Sequence, residues 1–108
     1  MAVVKQYDVY WVNLDPTIDS EIKKIRPCVV ISPNVSNKLL QTILIAPLTS
    51  MLRDLPMRLL IELNGKTGSI CLDQVRCVDK TRLSKKMTSL TQSDVEALKA
   101  LLKEYLVD

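Results

Sequence analysis

Short runs of β-branched and aromatic residues, separated by turn-forming residues, occupy most of the chain before residue 79 and constrain its fold most strongly. Such runs predict strands, here over residues 7–14, 28–32, 41–48 and 57–63, with one or two more within 69–78. Asn64-Gly65 predicts a turn that Lys66-Thr67-Gly68 prolongs. Five or six short strands followed by one long helix predict a small curled β-sheet or barrel with the helix packed across it.

The connections between these runs carry further local signals. Pro47 cannot donate to a β-ladder, so the end of the third strand is predicted to lie at a sheet edge or a bulge. Residues 35–40 predict a short helical turn with Asn34 or Ser36 as its cap. The lysine- and arginine-bearing stretch 79–90 predicts a basic connection, which is either a solvated face or a track that steers phosphates.

The last part of the chain predicts an amphipathic helix. Thr91 followed by Asp94 resembles a capping box, and Leu90 and Val95 have the spacing of a hydrophobic staple. Apolar residues recur at helical spacing along one face, namely Val95, Leu98, Leu101, Leu102, Tyr105 and Leu106. We expect this face to pack in the core or in a dimer interface.

Length and composition bound the class of protein. The 108 residues, 47% of them hydrophobic, fit a single domain over residues 1–108. No apolar run approaches the ~20 residues of a membrane helix, and the N-terminus lacks a signal-peptide layout, so we expect a cytoplasmic protein. The net charge of +3 favours acidic partners only mildly. Cys28, Cys71 and Cys77 have no metal-ligand spacing and are predicted to be small core residues in a reducing compartment.

Histidine is absent from the sequence. This absence excludes Ser-His-Asp and Cys-His catalysis and histidine-based metal sites. The carboxylates show no spacing typical of a metal site either, so no metal or other cofactor is expected. An enzyme with this sequence would have to use positioning and charge, through carboxylate, hydroxyl or guanidinium groups.

The polar stretch between the first two strands is the main candidate for function, because loops held between rigid strands often carry functional residues. It contains Ser20 and Glu21 and ends at Arg26-Pro27. Taken alone, the stretch is equally compatible with a solvated connection in which Arg26 pairs with Glu21 or Asp19. Thr49 and Ser50, which follow the third strand, are likewise compatible with a simple turn.

The stretch from Tyr10 to Pro33, YWVNLDPTIDSEIKKIRPCVVISP, resembles the opening of the MazF/PemK family of toxin endoribonucleases. The matching residues are Asp8, Val9, Tyr10, Trp11, Val12, Leu14, Asp15, Pro16, Ser20, Glu21, Arg26, Pro27, Val29, Val30 and Ser32. Later family blocks match in order at APLTS (46–50), LDQVR (72–76) and VDKTRL (78–83). The resemblance therefore covers nearly the whole chain.

This resemblance implies an SH3-like barrel with helices, usually a symmetric homodimer, and metal-independent, sequence-specific cleavage of single-stranded RNA that leaves a 2′,3′-cyclic phosphate. It also implies a cognate antitoxin whose disordered acidic tail blocks the RNA groove. By the same match Arg26 and Thr49 are the predicted catalytic residues. The predicted substrate-binding residues are Ser20, Glu21, Ser50, Asp73 and Gln74.

The chemistry of RNA cleavage suits these residues. The 2′-hydroxyl already lies beside the phosphate, so the protein has to align it, remove a proton and stabilise the charge on the phosphate. The guanidinium of Arg26 stays protonated and matches phosphate oxygens. Thr49 and Ser50 would hold the phosphate or the 2′-hydroxyl, and Glu21 would accept the proton or contact a base edge.

Two alternatives remain open from the sequence. One is a binding protein of the same barrel, of the gyrase-poisoning CcdB type, without nuclease activity. The other is a weakened family member that binds RNA or a partner without turnover. It is favoured by Asp19, which replaces a family glycine where a phosphate would approach. Tyr7 replaces a second family glycine. Tyr10 and Trp11 are predicted to pack in the core, with base stacking as the minor alternative.

Overall fold

The computed structural model describes residues 3–15 and 24–107, which form an antiparallel sheet followed by a helix. Seven strands make up the sheet in this part of the chain: β1 (Asp8–Asn13), β2 (Ile25–Val30), β3 (Thr42–Thr49), β4 (Arg58–Leu63), β5 (Lys66–Cys71), β6 (Arg76–Asp79) and β7 (Leu83–Ser89). The helices are a short α1 (Asn34–Leu39) and α2 (Gln92–Leu102), which continues into a π-helical turn (Lys103–Val107). Single 3-10 turns, Leu72–Gln74 and Lys80–Arg82, flank β6.

The strands follow the order β4-β5-β3-β2-β1-β7, and β6 pairs with the first half of β3. One side of β3 therefore pairs with β2, while its other side pairs first with β6 and then, from Leu48, with β5. Because one strand serves three partners, the sheet curls instead of remaining flat. This confirms the predicted small curled sheet with a C-terminal helix. None of the helices in residues 3–15 and 24–107 has both the length and the apolar character needed to cross a bilayer.

Side-chain alternation along the strands divides the buried residues between two faces of the sheet. On β1, Tyr10 and Val12 belong to one buried cluster, while Val9 belongs to a second cluster on the other face. Leu98 of α2 is fully buried in the second cluster, so the helix covers that face. The sheet thus has a buried cluster on both faces.

Two strand predictions need correction. The second strand begins at Ile25 instead of residue 28, so Arg26 lies in a strand and not in the preceding loop. The prediction of a basic connection over 79–90 is wrong, because most of that stretch forms β7, which pairs with β1. As an edge strand with exposed lysines, β7 lacks the apolar alternation by which a half-buried strand is recognised.

The turn between β4 and β5 is tighter than predicted. Asn64 and Gly65 both have positive φ, at 50° and 79°, which is the conformation of a two-residue hairpin turn. Lys66 pairs with Leu63 and already belongs to β5, so the predicted prolongation over Lys66-Thr67-Gly68 is wrong. The turn signal was correct, and the error lay in treating the polar residues after it as loop.

Two smaller predictions hold only in part. Pro47 pairs with Cys28 inside the sheet, but on its other side it has no strand partner among the described residues, because β3 passes there from β6 to β5. Its missing N–H is tolerated because it lies between the last β6 partner, Ile45, and the first β5 partner, Leu48. Helix α1 forms close to the predicted range, but its N-cap is Pro33 and no side chain caps it.

Tyr7 has a φ of 71°, a left-handed conformation that favours glycine. Its N–H donates to the Val30 carbonyl at 2.7 Å, and its carbonyl accepts from the Leu90 N–H at 3.0 Å. The backbone at this position is therefore held between β2 and the start of the terminal helix. The left-handed backbone agrees with the glycine that the resemblance implies at this position.

The terminal helix begins as predicted. The Thr91 side chain accepts from the Asp94 N–H at 3.1 Å, which is the first half of a capping box. Along the predicted apolar face, Leu98 is buried, but Tyr105 and Leu106 are 45% and 59% exposed. The apolar face therefore packs on the sheet at its start and remains open at its end.

The cysteine prediction holds at two of three positions. Cys28 and Cys71 are buried, and burial raises the pKa of the Cys28 thiol to about 12 and that of Cys71 to about 11. Both thiols are therefore protonated at neutral pH and behave as small core residues. Cys77 on β6 is exposed, so the prediction that it is a core residue is wrong.

A buried polar network ties α1 to the sheet. Asn37 is 1% exposed; its side-chain amide donates to the Ser32 carbonyl at 2.9 Å and its Oδ1 accepts from the Ser32 hydroxyl at 2.5 Å. The Ser32 oxygen also accepts from the Leu44 N–H at 3.1 Å, and the Lys80 ammonium donates to the Asn37 carbonyl. Lys80 is thus part of this network and not only a solvated charge.

We expect Asn37→Ala to lower the free energy of unfolding by about 2–3 kcal/mol, because it strands a buried hydroxyl and a buried carbonyl of Ser32. Urea denaturation of the variant measures this directly. The matched control is Lys38→Ala on the exposed side of the same helix, which should change stability by less than about 0.5 kcal/mol. Equal effects of the two substitutions would contradict a buried network at Asn37.

Candidate active site

A groove with a volume of ≈ 450 Å³ opens where β2 and β3 stop pairing. One wall comes from β1 and β2, the other from the end of β3 and the β4–β5 turn, and β7 contributes Met87. The lining residues are Trp11, Ile25, Arg26, Pro27, Leu48, Thr49, Ser50, Leu63, Asn64, Lys66, Thr67, Gly68 and Met87. The groove therefore combines apolar surface with hydroxyl, amide and cationic groups.

The pairing of β2 with β3 explains why Arg26 and Thr49 meet in this groove. The last recorded partners are Cys28 and Pro47. Continuing the antiparallel register by two residues brings Arg26 opposite Thr49, and side chains two residues along a strand keep the same face. Two residues far apart in the sequence are thereby brought to one cleft.

The Thr49 side chain is oriented by the turn that follows it. Its hydroxyl oxygen accepts from the Met51 N–H at 3.1 Å. A hydroxyl has one donor and two acceptor positions, so this bond leaves the hydroxyl hydrogen available to a ligand in the groove. Ser50, next to it, is exposed and also lines the groove.

The groove is electrostatically suited to an anion. Arg26 and Lys66 are among its lining residues, and no aspartate or glutamate from the described ranges lines it. Guanidinium and ammonium groups at a partly enclosed surface attract phosphate more strongly than they would in open solvent. Within residues 3–15 and 24–107, no three His, Cys, Asp or Glu side chains are grouped so that they could hold a metal ion.

Two arginines hold the backbone immediately before the β1–β2 connection. Arg76 donates to the Leu14 carbonyl at 3.1 Å, and Arg82 donates to the carbonyls of Asn13, at 3.2 Å, and Asp15. Arg76 belongs to the block at 72–76 and Arg82 to the block at 78–83, of which the sequence analysis assigned only Arg82 to a basic connection. The effect of these bonds is to fix the end of β1.

The C-terminal end of the β1–β2 connection is hydrogen-bonded to the same residues that follow β1, Leu14 and Asp15. The Lys24 N–H donates to the Asp15 carboxylate at 3.0 Å, and the Lys24 carbonyl accepts from the Leu14 N–H at 3.0 Å. Lys24 itself has a φ of 70°. Because Lys24 precedes Ile25 and Arg26, this junction sets the position at which the predicted catalytic arginine enters β2. The predicted substrate contacts Ser20 and Glu21, and the glycine replacement Asp19, lie outside the described residues.

Asp73 and Gln74, predicted to bind substrate, do not line the groove of this chain. They lie in the 3-10 turn after β5, where Asp73 accepts two bonds from the Arg58 guanidinium, at 3.0 Å to Oδ1 and 2.9 Å to Oδ2. Hydrogen bonding from Arg58 holds the pKa of Asp73 below its usual range. In this chain Asp73 therefore links the start of β4 to the 3-10 turn.

We expect Asp73→Asn to lower the free energy of unfolding near neutral pH by about 1 kcal/mol or less, since the pair is partly exposed. The folded pKa of Asp73 is depressed, so the contribution of the pair is present above the unfolded pKa of about 4 and is lost as the pH falls through the folded value. Urea denaturation of both proteins at about pH 7 and about pH 3 checks this sign. A difference that stays constant or grows on acidification contradicts the interpretation.

Several lining residues were not predicted from the sequence. Asn64, Lys66 and Thr67 enter the groove through the β4–β5 hairpin, whose two-residue turn signal could have placed them. Met87 enters through β7, which the sequence pattern did not reveal. Trp11 was predicted to pack in the core, yet it is only partly buried and lines the groove, whereas Tyr10 is buried as predicted.

The comparisons with known proteins agree with this fold. A family model described as "PemK-like, MazF-like toxin of type II toxin-antitoxin system" matches residues 5–106. A relative from Bacillus subtilis (strain 168), named Endoribonuclease EndoA, is 32% identical over 94 residues, which cover 82% of this chain and 81% of the relative.

Solved structures show the same architecture. A MazF crystal structure from Deinococcus radiodurans has a TM-score of 0.85 at 21% identity and covers 98% of both chains. An endoribonuclease in complex with its cognate antitoxin, from a mycobacterial species, has a TM-score of 0.81 at 18% identity and covers 95% of this chain and 94% of that one. At these identities the structures support the fold, while the family follows from the family model and the curated relative. The chain belongs to the PemK-like, MazF-like toxins of type II toxin–antitoxin systems.

Proposed function

We propose that this chain is the toxin of a type II toxin–antitoxin system and a metal-independent endoribonuclease that cleaves single-stranded RNA at a short sequence. The observation that carries the proposal is the presence of Arg26 and Thr49 in one groove that also has Lys66 and no carboxylate from the described residues. The endoribonuclease name of the Bacillus subtilis relative supports the same activity. The lack of histidine makes a mechanism based on positioning and charge the appropriate one.

In the proposed reaction the 2′-oxygen of RNA attacks the adjacent phosphorus. A bond forms between the 2′-oxygen and phosphorus, and the bond from phosphorus to the 5′-oxygen of the next nucleotide breaks. The products are a 2′,3′-cyclic phosphate and a 5′-hydroxyl. Arg26 stabilises the charge that develops on the phosphate oxygens, and the Thr49 hydroxyl donates to one of them. Glu21 is the proposed acceptor of the 2′-hydroxyl proton, and the leaving 5′-oxygen takes up a proton from water to become the 5′-hydroxyl.

Single-stranded RNA fits a groove of this kind better than a duplex does. Unstacked bases expose their edges and faces, so a short groove lined by strand ends can read a few of them. The amide of Asn64 and the hydroxyls of Ser50 and Thr67 offer hydrogen-bonding groups for base edges. We propose that these residues join the sequence-predicted contacts in selecting the cut site.

We propose that a cognate antitoxin inhibits the chain by placing an acidic segment with apolar residues in the same groove. The mycobacterial structure that shares this fold was solved in complex with its cognate antitoxin. The apolar surface beside Arg26 and Lys66 is compatible with a segment of that composition. A toxin bound to its antitoxin should therefore neither bind nor cut RNA.

We also propose a homodimer. Apolar side chains are strongly exposed along α1 and the adjoining part of the sheet, where Val35 is 71%, Leu39 76% and Leu44 41% exposed. A second copy of the chain covering these residues would remove that surface from water. Light scattering of the purified protein should give the mass of two chains, and the mass of one chain would contradict this proposal.

The test of the activity is incubation of purified protein with single-stranded RNA in excess EDTA. We expect cleavage at a short recurring sequence, with 2′,3′-cyclic phosphate ends identified by end sequencing and mass spectrometry. Intact RNA together with inhibition of topoisomerase would instead support a CcdB-type binding protein. RNA binding without turnover would support a weakened family member.

A further inference from the structure

Trp11 is the single tryptophan of the chain, and it is only partly buried. On β1 the side chains of Tyr10 and Val12 belong to one buried cluster and that of Val9 to the other, so alternation directs the indole to the Val9 side. Leu48 is buried on that side and also lines the groove with Trp11. The indole thus lies where the second core cluster meets the groove.

The pairing of β1 with β7 is irregular at this place. Val9 pairs with Thr88 and Tyr10 with Lys86, which leaves Met87 as an extra residue on β7. A second shift separates the Tyr10 and Val12 pairs, so Trp11 lies at the second irregularity. Bulges commonly redirect side chains next to functional sites. Here the irregularity accompanies the entry of both Trp11 and Met87 into the groove.

Trp11 also lies beside the predicted phosphate-binding residue. Its partner on β2 is Pro27, the residue that follows Arg26, and Cα atoms of directly paired residues are about 5 Å apart. Ile25, on the other side of Arg26, is 57% exposed and lines the same groove. Trp11, Pro27 and Ile25 therefore share one face of the β1–β2 pair, and the groove at the end of this pair brings them together with Arg26.

We propose that Trp11 is a base-stacking residue that holds a nucleobase next to the scissile phosphate of single-stranded RNA. The proposal rests on the proposed endoribonuclease function. A nucleotide joins a flat base to an anionic phosphate at close range, which matches a groove that holds both an indole and a guanidinium. Stacking on an aromatic side chain accepts every base, so Trp11 supplies affinity and orientation while polar neighbours supply sequence preference.

A nucleobase fits these observations better than an acidic peptide does. Hydroxyl and amide groups line the same groove as the indole, and they suit the polar edges of a stacked base. An antitoxin segment would gain from the apolar residues and cations but has no need for a planar partner. The peptide is therefore treated as an alternative outcome of the experiment.

The single tryptophan makes the test direct. The probe is an RNA oligomer that carries the sequence cut by the wild-type protein, with a 2′-deoxy nucleotide at the cut site to prevent turnover. We expect the probe to change the tryptophan fluorescence of the wild-type protein. Two further probes each carry one abasic nucleotide, on the 5′ or on the 3′ side of the scissile phosphate. One of the two should abolish the fluorescence change and bind about tenfold more weakly. Unchanged fluorescence with bound probe, or equal binding of both abasic probes and the intact probe, would overturn the proposal.

The variants separate stacking from packing. Trp11→Phe keeps an aromatic face and should retain kcat/KM within about threefold, while Trp11→Leu should lose about tenfold or more. Circular dichroism and thermal unfolding establish that both variants are folded, and Tyr105→Leu, an exposed aromatic residue outside the groove, is the matched control. In Trp11→Leu the abasic nucleotide should cause no further loss. Full activity of Trp11→Leu on an RNA that the wild type cuts would overturn the stacking role and leave the proposed function intact.

Two further outcomes separate a failure of the proposed function from a failure of the stacking role of Trp11. If the wild type cuts no RNA in EDTA, the proposed function fails regardless of Trp11. If an acidic peptide from the antitoxin changes the fluorescence and the RNA probe does not, the groove is a peptide site and the stacking proposal is overturned.

Discussion

Replacing Arg26 with alanine is expected to lower kcat/KM for RNA cleavage by about 10²- to 10³-fold or more, with the protein still folded. The guanidinium is the charged group of the groove that lies opposite Thr49, and it stays protonated throughout the reaction. Its removal takes away stabilisation of the charge that develops on the phosphate, so kcat should fall more than KM rises. Steady-state cleavage of a labelled oligomer measures both quantities.

Two controls make the Arg26 result specific. Arg26→Lys keeps the charge and loses the planar fork, so it should recover part of the lost rate but not all of it. Arg53→Ala removes an exposed arginine of the loop after β3 that does not line the groove, and it should cut normally. Undiminished cutting by Arg26→Ala, or an equal loss in Arg53→Ala, would refute the role of Arg26.

Replacing Thr49 with valine is expected to lower kcat by about 10²-fold, because the shape is kept and the hydroxyl donor is lost. Valine also removes the acceptor of the Met51 N–H, which weakens the turn after β3. Thr49→Ser keeps the hydroxyl and should retain most activity, which separates the hydroxyl from the methyl group. Single-turnover cleavage rates are the appropriate measurement.

Thr42→Val is the matched control for Thr49, because Thr42 lies exposed at the other end of the same strand. It should leave cleavage unchanged. If Thr49→Val and Thr49→Ser lose activity equally while Thr42→Val does not, packing around residue 49 matters and hydrogen bonding does not. That result would remove Thr49 from the mechanism.

Much of the fold follows from local sequence pattern. The strands that alternate or bury both faces were predicted, and the Asn64-Gly65 turn and the Thr91 cap were found where their residue types require them. The edge strand β7 was missed, because a strand that pairs on one side carries polar and charged residues that resemble a loop. The extent of β5 was missed for a related reason, since the polar residues after the turn concealed its start.

The residues of the candidate site also differ in how far the sequence could predict them. Arg26 and Thr49 could be predicted as a pair only through the family resemblance, because their proximity depends on the register of β2 against β3, which no local pattern specifies. The engagement of Asp73 by Arg58 also depends on pairing between distant segments. Trp11 shows the limit of composition-based reasoning, because an aromatic residue in a strand usually packs in the core, and only the bulges of β7 reveal its place in the groove.

The most direct test of the account is a crystal structure of the protein with an RNA oligomer that carries the cut sequence and a 2′-deoxy nucleotide at the cut site. We predict that the scissile phosphate lies in the groove between β2 and the β4–β5 turn, with the Arg26 guanidinium and the Thr49 hydroxyl each about 3 Å from its oxygens. A scissile phosphate bound elsewhere on the molecule, out of reach of both side chains, would contradict the account.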